Sequence, residues 1–479
     1  LLTAAMDTGE DELKNLLKNL DEKDPSSLLN RIDPDEYYPV YGDDSTSVET
    51  APTSGKFFVK LEKDNSHVMW GDFKSQIKGT EYLRNERTLY GAQAVIQSQQ
   101  QTTNGDAQYT LQLHAAQPDT LPQRDIFLGT GGSTYFLKYQ DITKGSETLL
   151  VEIRDPDTGR VLERRTLSYG TDYEINYIQG LIILKSPLSS TGSSSSLVST
   201  NPNGDTEAFL VANYEHTPAS RDIDTFSYGA RGQIWMSDTL RFGASYMSED
   251  AGTGTQKAYG VDILYQVSEN SFAEFEYAKT QGPGFGNSLS TDGGLLLTDV
   301  AAIAGNGRAI RFKGQVDFAD LGFKTDGVIG GYFEDRSAGF SSIGYQSSTD
   351  ETLWGVYGDF GLTERLDLRF THDDFDATAG KSTVDTVLEL TYRSSEVLTW
   401  GVGLKRTDRN DPADAEDTGK RTDVGVRVSY SPNEDYEIYG FAQATLSHSG
   451  GLGANNRLGV GGEWQASDKW RIAVEASGG

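Results

Sequence analysis

Five carboxylates crowd one short stretch of this chain: Asp408, Asp411, Asp414, Glu416 and Asp417. Hard oxygen ligands at that density suit Ca²⁺, although their spacing is not that of a helix-loop-helix calcium site. A second set of charged residues recurs at alternate positions within otherwise apolar segments: Arg231, Arg241, Asp262, Arg311, Lys313, Asp317, Arg427 and Glu463. Mixed charges so placed would line a wetted surface, and with neither sign dominant they specify no ion selectivity. Nucleophilic and redox chemistry find no support. Cysteine is absent, and the five histidines, His67, His114, His216, His372 and His448, are scattered. Gly129-Thr130-Gly131-Gly132-Ser133 lacks the lysine and following helix of a phosphate loop and reads as a turn. No zincin, hydrolase or kinase motif occurs, so an enzyme is not expected, and no cofactor beyond the possible Ca²⁺ is implied.

The balance of 71 acidic against 42 basic residues, a net charge of −29, excludes nucleic acid as a partner, because phosphate binding needs clustered Lys and Arg. A helical membrane span needs about 20 apolar residues, and no run approaches that length. The chain opens on Leu-Leu-Thr-Ala-Ala without Met or signal peptide, and so reads as a mature or trimmed product.

These residues must be positioned by strands. Phe226, Tyr228, Ala230 and Ile234 alternate with Ser227, Arg231 and Gln233. Val424, Val426 and Val428 alternate with Asp423, Arg427 and Ser429, and Trp470, Ile472 and Val474 with Arg471 and Glu475. A period of two with one apolar and one charged face is a β-strand. Such strands are expected at 55–63, 66–77, 88–100 and 106–115, and then at fifteen places from 208–216 to 470–477, nineteen in all, give or take two.

A water-soluble sandwich would alternate too, so the connections must decide. Short turns at 237–239, 268–270, 363–364, 394–396, 432–435 and 467–469 alternate with long Gly- and Asp-rich connections at 250–256, 283–307, 337–351, 411–421 and 449–456. Tight turns at one end and elaborated loops at the other mark an outer-membrane barrel, as do strands of about 9–11 residues. Trp235, Trp400, Trp464 and Trp470 lie near the short turns, where an interfacial girdle belongs. The expectation is therefore an all-β fold: a large antiparallel transmembrane β-barrel with a small inserted β-sandwich module and a short N-terminal helix. Single-chain bacterial barrels have even strand counts, and the last strand lacks a terminal Phe or Trp, so the chain reads as part of a longer protein.

Five regions are expected. Residues 1–54 form an arm, with Leu13, Leu16, Leu17 and Leu20 on one face of an amphipathic helix. Residues 55–118 supply the first strands, 119–190 an inserted module, 191–207 a flexible Ser- and Gly-rich linker, and 208–479 the main hairpins.

Within the module, Gly170-Thr171-Asp172-Tyr173-Glu174-Ile175, Gln179-Gly180 and Lys185-Ser186-Pro187-Leu188, with Tyr38-Pro39-Val40-Tyr41-Gly42-Asp43 upstream, carry a resemblance. Over about its first 190 residues the chain resembles very large Gram-negative outer-membrane proteins, among them the type 9 secretion translocon and related giant barrels. The resemblance implies that residues 124–188 plug the lumen or cap the periplasmic mouth, and it carries over no catalytic residue. The function expected is a conduit or membrane scaffold in the outer membrane. Its partners would be outer-membrane lipid and lipopolysaccharide, and other envelope proteins reached through the N-terminal helix or the long loops. The alternative is a structural or adhesive surface protein that binds partners through its acidic external loops.

Overall fold

The computed structural model describes residues 1–6, 57–75, 77–118, 120–192, 196–199, 206–218, 226–467 and 470–479. The expected N-terminal helix, the Tyr38–Asp43 motif and most of the Ser- and Gly-rich linker lie outside them. The described residues are almost entirely β, with no α-helix.

Nineteen strands form one antiparallel sheet, running in chain order from Leu2–Met6 and Phe57–Lys63 to Arg457–Ser467 and Trp470–Gly478. The expected number recurs, with one exchange. Strand Glu207–His216, expected as the first of the main hairpins, pairs with Leu121–Leu128 and Thr148–Arg154 in a different sheet. In its place Leu2–Met6 pairs with Phe57–Lys63. The reason is visible in the sequence of that strand: Ala208, Leu210, Val211 and Ala212 are all buried, as befits a central strand covered on both sides.

The module is an insertion into a hairpin. Strand Tyr109–Ala116 pairs directly with Ser227–Trp235, and Ala116 and Ser227 are register partners, so everything between them leaves the sheet and returns to the same point. It forms a six-stranded sheet facing a three-stranded one, Tyr173–Asn176, Leu181–Leu184 and Thr134–Phe136. Phe127, Leu149, Leu210 and Tyr214 of the first meet Tyr135, Tyr173 and Ile182 of the second in a common apolar core. Two strands of the six come from elsewhere. Asn287–Ser290 and Thr298–Val300 belong to the 283–307 connection, expected as an external loop, and Asn287–Ser290 adds in parallel to Leu121–Leu128.

The large sheet wraps the module. Lys74, on the third strand, donates to Thr148 of the module at 3.1 Å, and Gln443, on the seventeenth, exchanges hydrogen bonds with Ser199 at 2.9 and 3.0 Å. In a flat sheet, at about 4.8 Å per strand, those strands would lie roughly 65 Å apart. A unit of about 100 residues is only about 30 Å across, so the sheet must curl around it. Among the described residues no ladder joins Leu2–Met6 to Trp470–Gly478.

Candidate functional site

The two faces of the curled sheet have opposite chemistry. Facing away from the module, Phe312, Val402 and Ile438 are 47, 46 and 46 % exposed; facing it, Arg231, Asp262 and Glu276 are 3, 4 and 5 % exposed. Of the four tryptophans near short turns, Trp400, Trp464 and Trp470 lie on the outer face and Trp235 does not. It is buried on the inner face, with the Arg241 guanidinium 5.9 Å from its ring centre. The cause is parity, since position 235 falls on the same face as Arg231 and Gln233.

Three of the charged residues chosen from sequence meet directly. Asp262 takes Arg231 at 2.8 and 3.2 Å and Arg241 at 3.2 Å. Arg311 lies two strands away, 3.0 Å from Glu274 and 3.7 Å from Glu334, and Lys313 follows it along the same face. Together with the connection 75–87 these strands enclose a polar cavity of about 300 Å³. The remaining three stand apart from it. Asp317 accepts from the Ala319 N–H at 2.9 Å beside a turn, and Arg427 pairs with Glu437 at 2.9 Å under the Tyr439 ring. Glu463 is set opposite Glu437 on the next strand.

Sequence reasoning missed the connection 75–87. It folds inward because Ile77, Tyr82 and Leu83, fully buried, pack on Met247, Ala258, Ala278 and Ala309 of the wall and on Phe340. Three alanines at paired inner positions leave room for it. The backbone N–H groups of Glu81 and Tyr82 donate to the Glu276 carboxylate at 2.7 and 3.0 Å. Three large apolar side chains in an otherwise polar loop were the signal available beforehand.

Module and wall are joined chiefly by ions. Arg87, at the end of that connection, holds Glu215 of the module at 2.6 and 2.7 Å and also Glu249 of the wall, all three fully buried. Arg164 bridges Glu152 of the module at 2.9 Å and Glu81 at 2.9 and 3.1 Å. Burial alone would raise the Glu152 carboxyl, but Arg124, Arg154 and Arg164 bring it down to about 2. Likewise burial opposes, and Arg164 outweighs it in holding, the low value at Glu81. Arg160 pairs with Asp373 at 3.2 Å and stacks 3.6 Å from the Tyr332 ring. Arg409 meets Asp157, whose carboxyl burial nonetheless pushes up to about 6.

The linker expected to be flexible is pinned where it is described. Ser196 Oγ and the Leu197 N–H donate to Glu389 at 2.8 and 2.5 Å. Leu197 and Val198 lie against glycines: a Cβ built on Gly401 or Gly403 would come within 2.8 Å of them. This strap touches the wall near the tight-turn end of strand Leu398–Asn410.

No protein-family model matches this chain, and no curated protein matches its sequence. What the site can do must therefore come from its geometry.

The five carboxylates expected to bind Ca²⁺ are not gathered. Asp408 pairs with Lys420 at 2.7 Å, Asp411 with Lys381 at 3.8 Å and Asp417 with Arg409 at 2.8 Å, while Asp414 accepts from the Glu416 N–H at 2.9 Å. Asp408, Asp411 and Asp417 are each neutralised by a different cation and Asp414 is used in a local turn, and among the described residues no three acidic or histidine side chains could share an ion.

Proposed function

We propose that the nineteen-strand sheet closes as a barrel in a Gram-negative outer membrane and that the protein is a conduit plugged by its inserted module. One observation carries the reading: the outward face of the sheet is apolar and exposed over nearly every strand, while the most buried charges, Arg231, Asp262 and Glu276, lie on its inner face. Contiguous apolar surface on this scale is not tolerated by a monomer in water. In hydrocarbon it is the required face, and every backbone N–H and C=O must then be paired within a closed sheet.

Topology favours a plug over a periplasmic cap. The tight connections, such as 64–65, 364–365 and 434–435, lie at one end, and the module hangs from the other with connections 75–87, 283–304 and 337–350. Short turns are ordinarily periplasmic, so the module enters from the outer mouth. Its contacts with the wall are ionic and hydrogen-bonded, unlike its own core, which suits a docking that can be reversed. Connection 283–304 adds two strands to the module sheet, and 75–87 and 337–350 pack on each other and on the inner wall, which favours conduction over adhesion through those loops.

The test is conductance of the full chain in planar bilayers. Because Ala116 and Ser227 are register partners, residues 117–226 can be replaced by an Asn-Gly hairpin turn, for which two-residue connections are suited. Conductance should rise steeply in the deletion. A deletion variant that inserts but stays electrically silent refutes the conduit.

A further inference from the structure

We infer that the cavity behind the connection 75–87 is a binding site for a small oxyanion, a compact molecule bearing a carboxylate or phosphate group. The cavity lies between Gly79–Arg84 and the inner face of strands Leu240–Asp250, Thr255–Gln266, Phe272–Gly282 and Gly305–Asp317. At about 300 Å³ it matches the lower end of small-molecule pockets, roughly 300–1,000 Å³.

Its carboxylates are already occupied. Asp262 is held by Arg231 and Arg241, Glu274 by Arg311 at 3.0 Å, Glu81 by Arg164, and Glu276 by two backbone N–H groups. Two cations on its lining are not. Among the described residues the Arg84 guanidinium makes no hydrogen bond or ion pair, and its Nε is buried without a partner. Lys313 has no carboxylate within ion-pair distance, and its ammonium lies 5.4 Å from the centre of the Phe272 ring. The lining holds four carboxylates, Glu81, Asp262, Glu274 and Glu276, and four cations, Arg84, Arg241, Arg311 and Lys313, but Arg164 and Arg231 from outside it take up Glu81 and Asp262. Arg84 supplies a planar fork suited to two oxygens and Lys313 a point charge. Arg84 Nε is sealed from solvent without a partner, and a desolvated cationic group left unpaired is costly, so half-buried Arg84 and Lys313 are poised for an anion.

This inference shares with the conduit reading a wetted inner face, but it needs no current and fails separately. The experiment is calorimetric titration of the detergent-solubilised full chain at low salt with inorganic phosphate and, separately, with citrate. Saturable heat is expected with at least one probe: phosphate alone identifies a tetrahedral site, and citrate alone a carboxylate site. The double variant Arg84→Gln/Lys313→Gln should weaken binding at least tenfold, Lys313→Arg should retain it, and Lys420→Gln, far from the cavity, should leave it unchanged. Absence of heat with both probes, or heat that the double variant leaves intact, overturns the site.

Discussion

Strands Glu207–His216 and Leu398–Asn410 bury opposite kinds of residue. In the first, Leu210, Ala212 and Tyr214 are sealed in the module core. In the second, Trp400, Val402 and Leu404 are exposed while Lys405 and Thr407 are buried. Periodicity is blind to the difference, because a period of two says only that the faces differ and not which solvent each meets. The module obeys the rule of a water-soluble sandwich, with apolar side chains inward. The sheet around it inverts that rule, and the inversion is what a lipid exterior demands.

The comparison breaks first at the module core. Phe127→Ala removes a fully buried ring from between the two layers and should cost about 3–5 kcal/mol. Near-UV circular dichroism of the detergent-solubilised protein should show the module melting earlier, with the wall unaffected.

On the wall the converse substitution is the sharper one. Leu404→Arg, mid-strand on the exposed face, should cost about 2–4 kcal/mol in lipid, read as a shift in reversible unfolding from vesicles. In a water-soluble sheet the same change would lie within about 0.5 kcal/mol, so a neutral result would remove the inversion argument.

Acid should loosen the module through Glu152, whose folded carboxyl titrates at about 2 rather than 4.5 because three guanidiniums surround it. Its contribution is complete above the ordinary carboxyl value and is lost as pH falls from 4.5 toward 2, about 2 kcal/mol of it by pH 3. Hydrogen exchange of strands Thr148–Arg154 and Val161–Thr166 should accelerate over that window, and Glu152→Gln should flatten the dependence. The smallest effect belongs to the exposed pair Lys420 and Asp408. Lys420→Gln should move stability by less than about 1 kcal/mol, measured by the urea midpoint.

What could be read from residues alone follows from local physics. Alternation at Val424–Tyr430 and Phe226–Ile234 located strands, and the unequal connections separated a tight end from an elaborated one. The charges Arg231, Arg241, Asp262, Arg311 and Lys313 fell on one face because parity requires it. Trp235 shows the same rule applied against proximity to a turn: its odd position sends it inward.

Tertiary structure decided the rest, since it depends on contacts between residues far apart in the chain. The apolar run of Glu207–His216 marks a strand covered on both sides, but its pairing partners, 53 to 95 residues upstream, are set only by the packing. The carboxylates from Asp408 to Asp417 are neighbours in sequence, yet turn geometry and separate cations divide them. Arg84 became conspicuous only when the connection 75–87 folded against four distant strands and left it without a partner. Strand, face and turn are set by neighbours along the backbone; a cavity is set by which chain segments share a volume, and that only the complete packing determines.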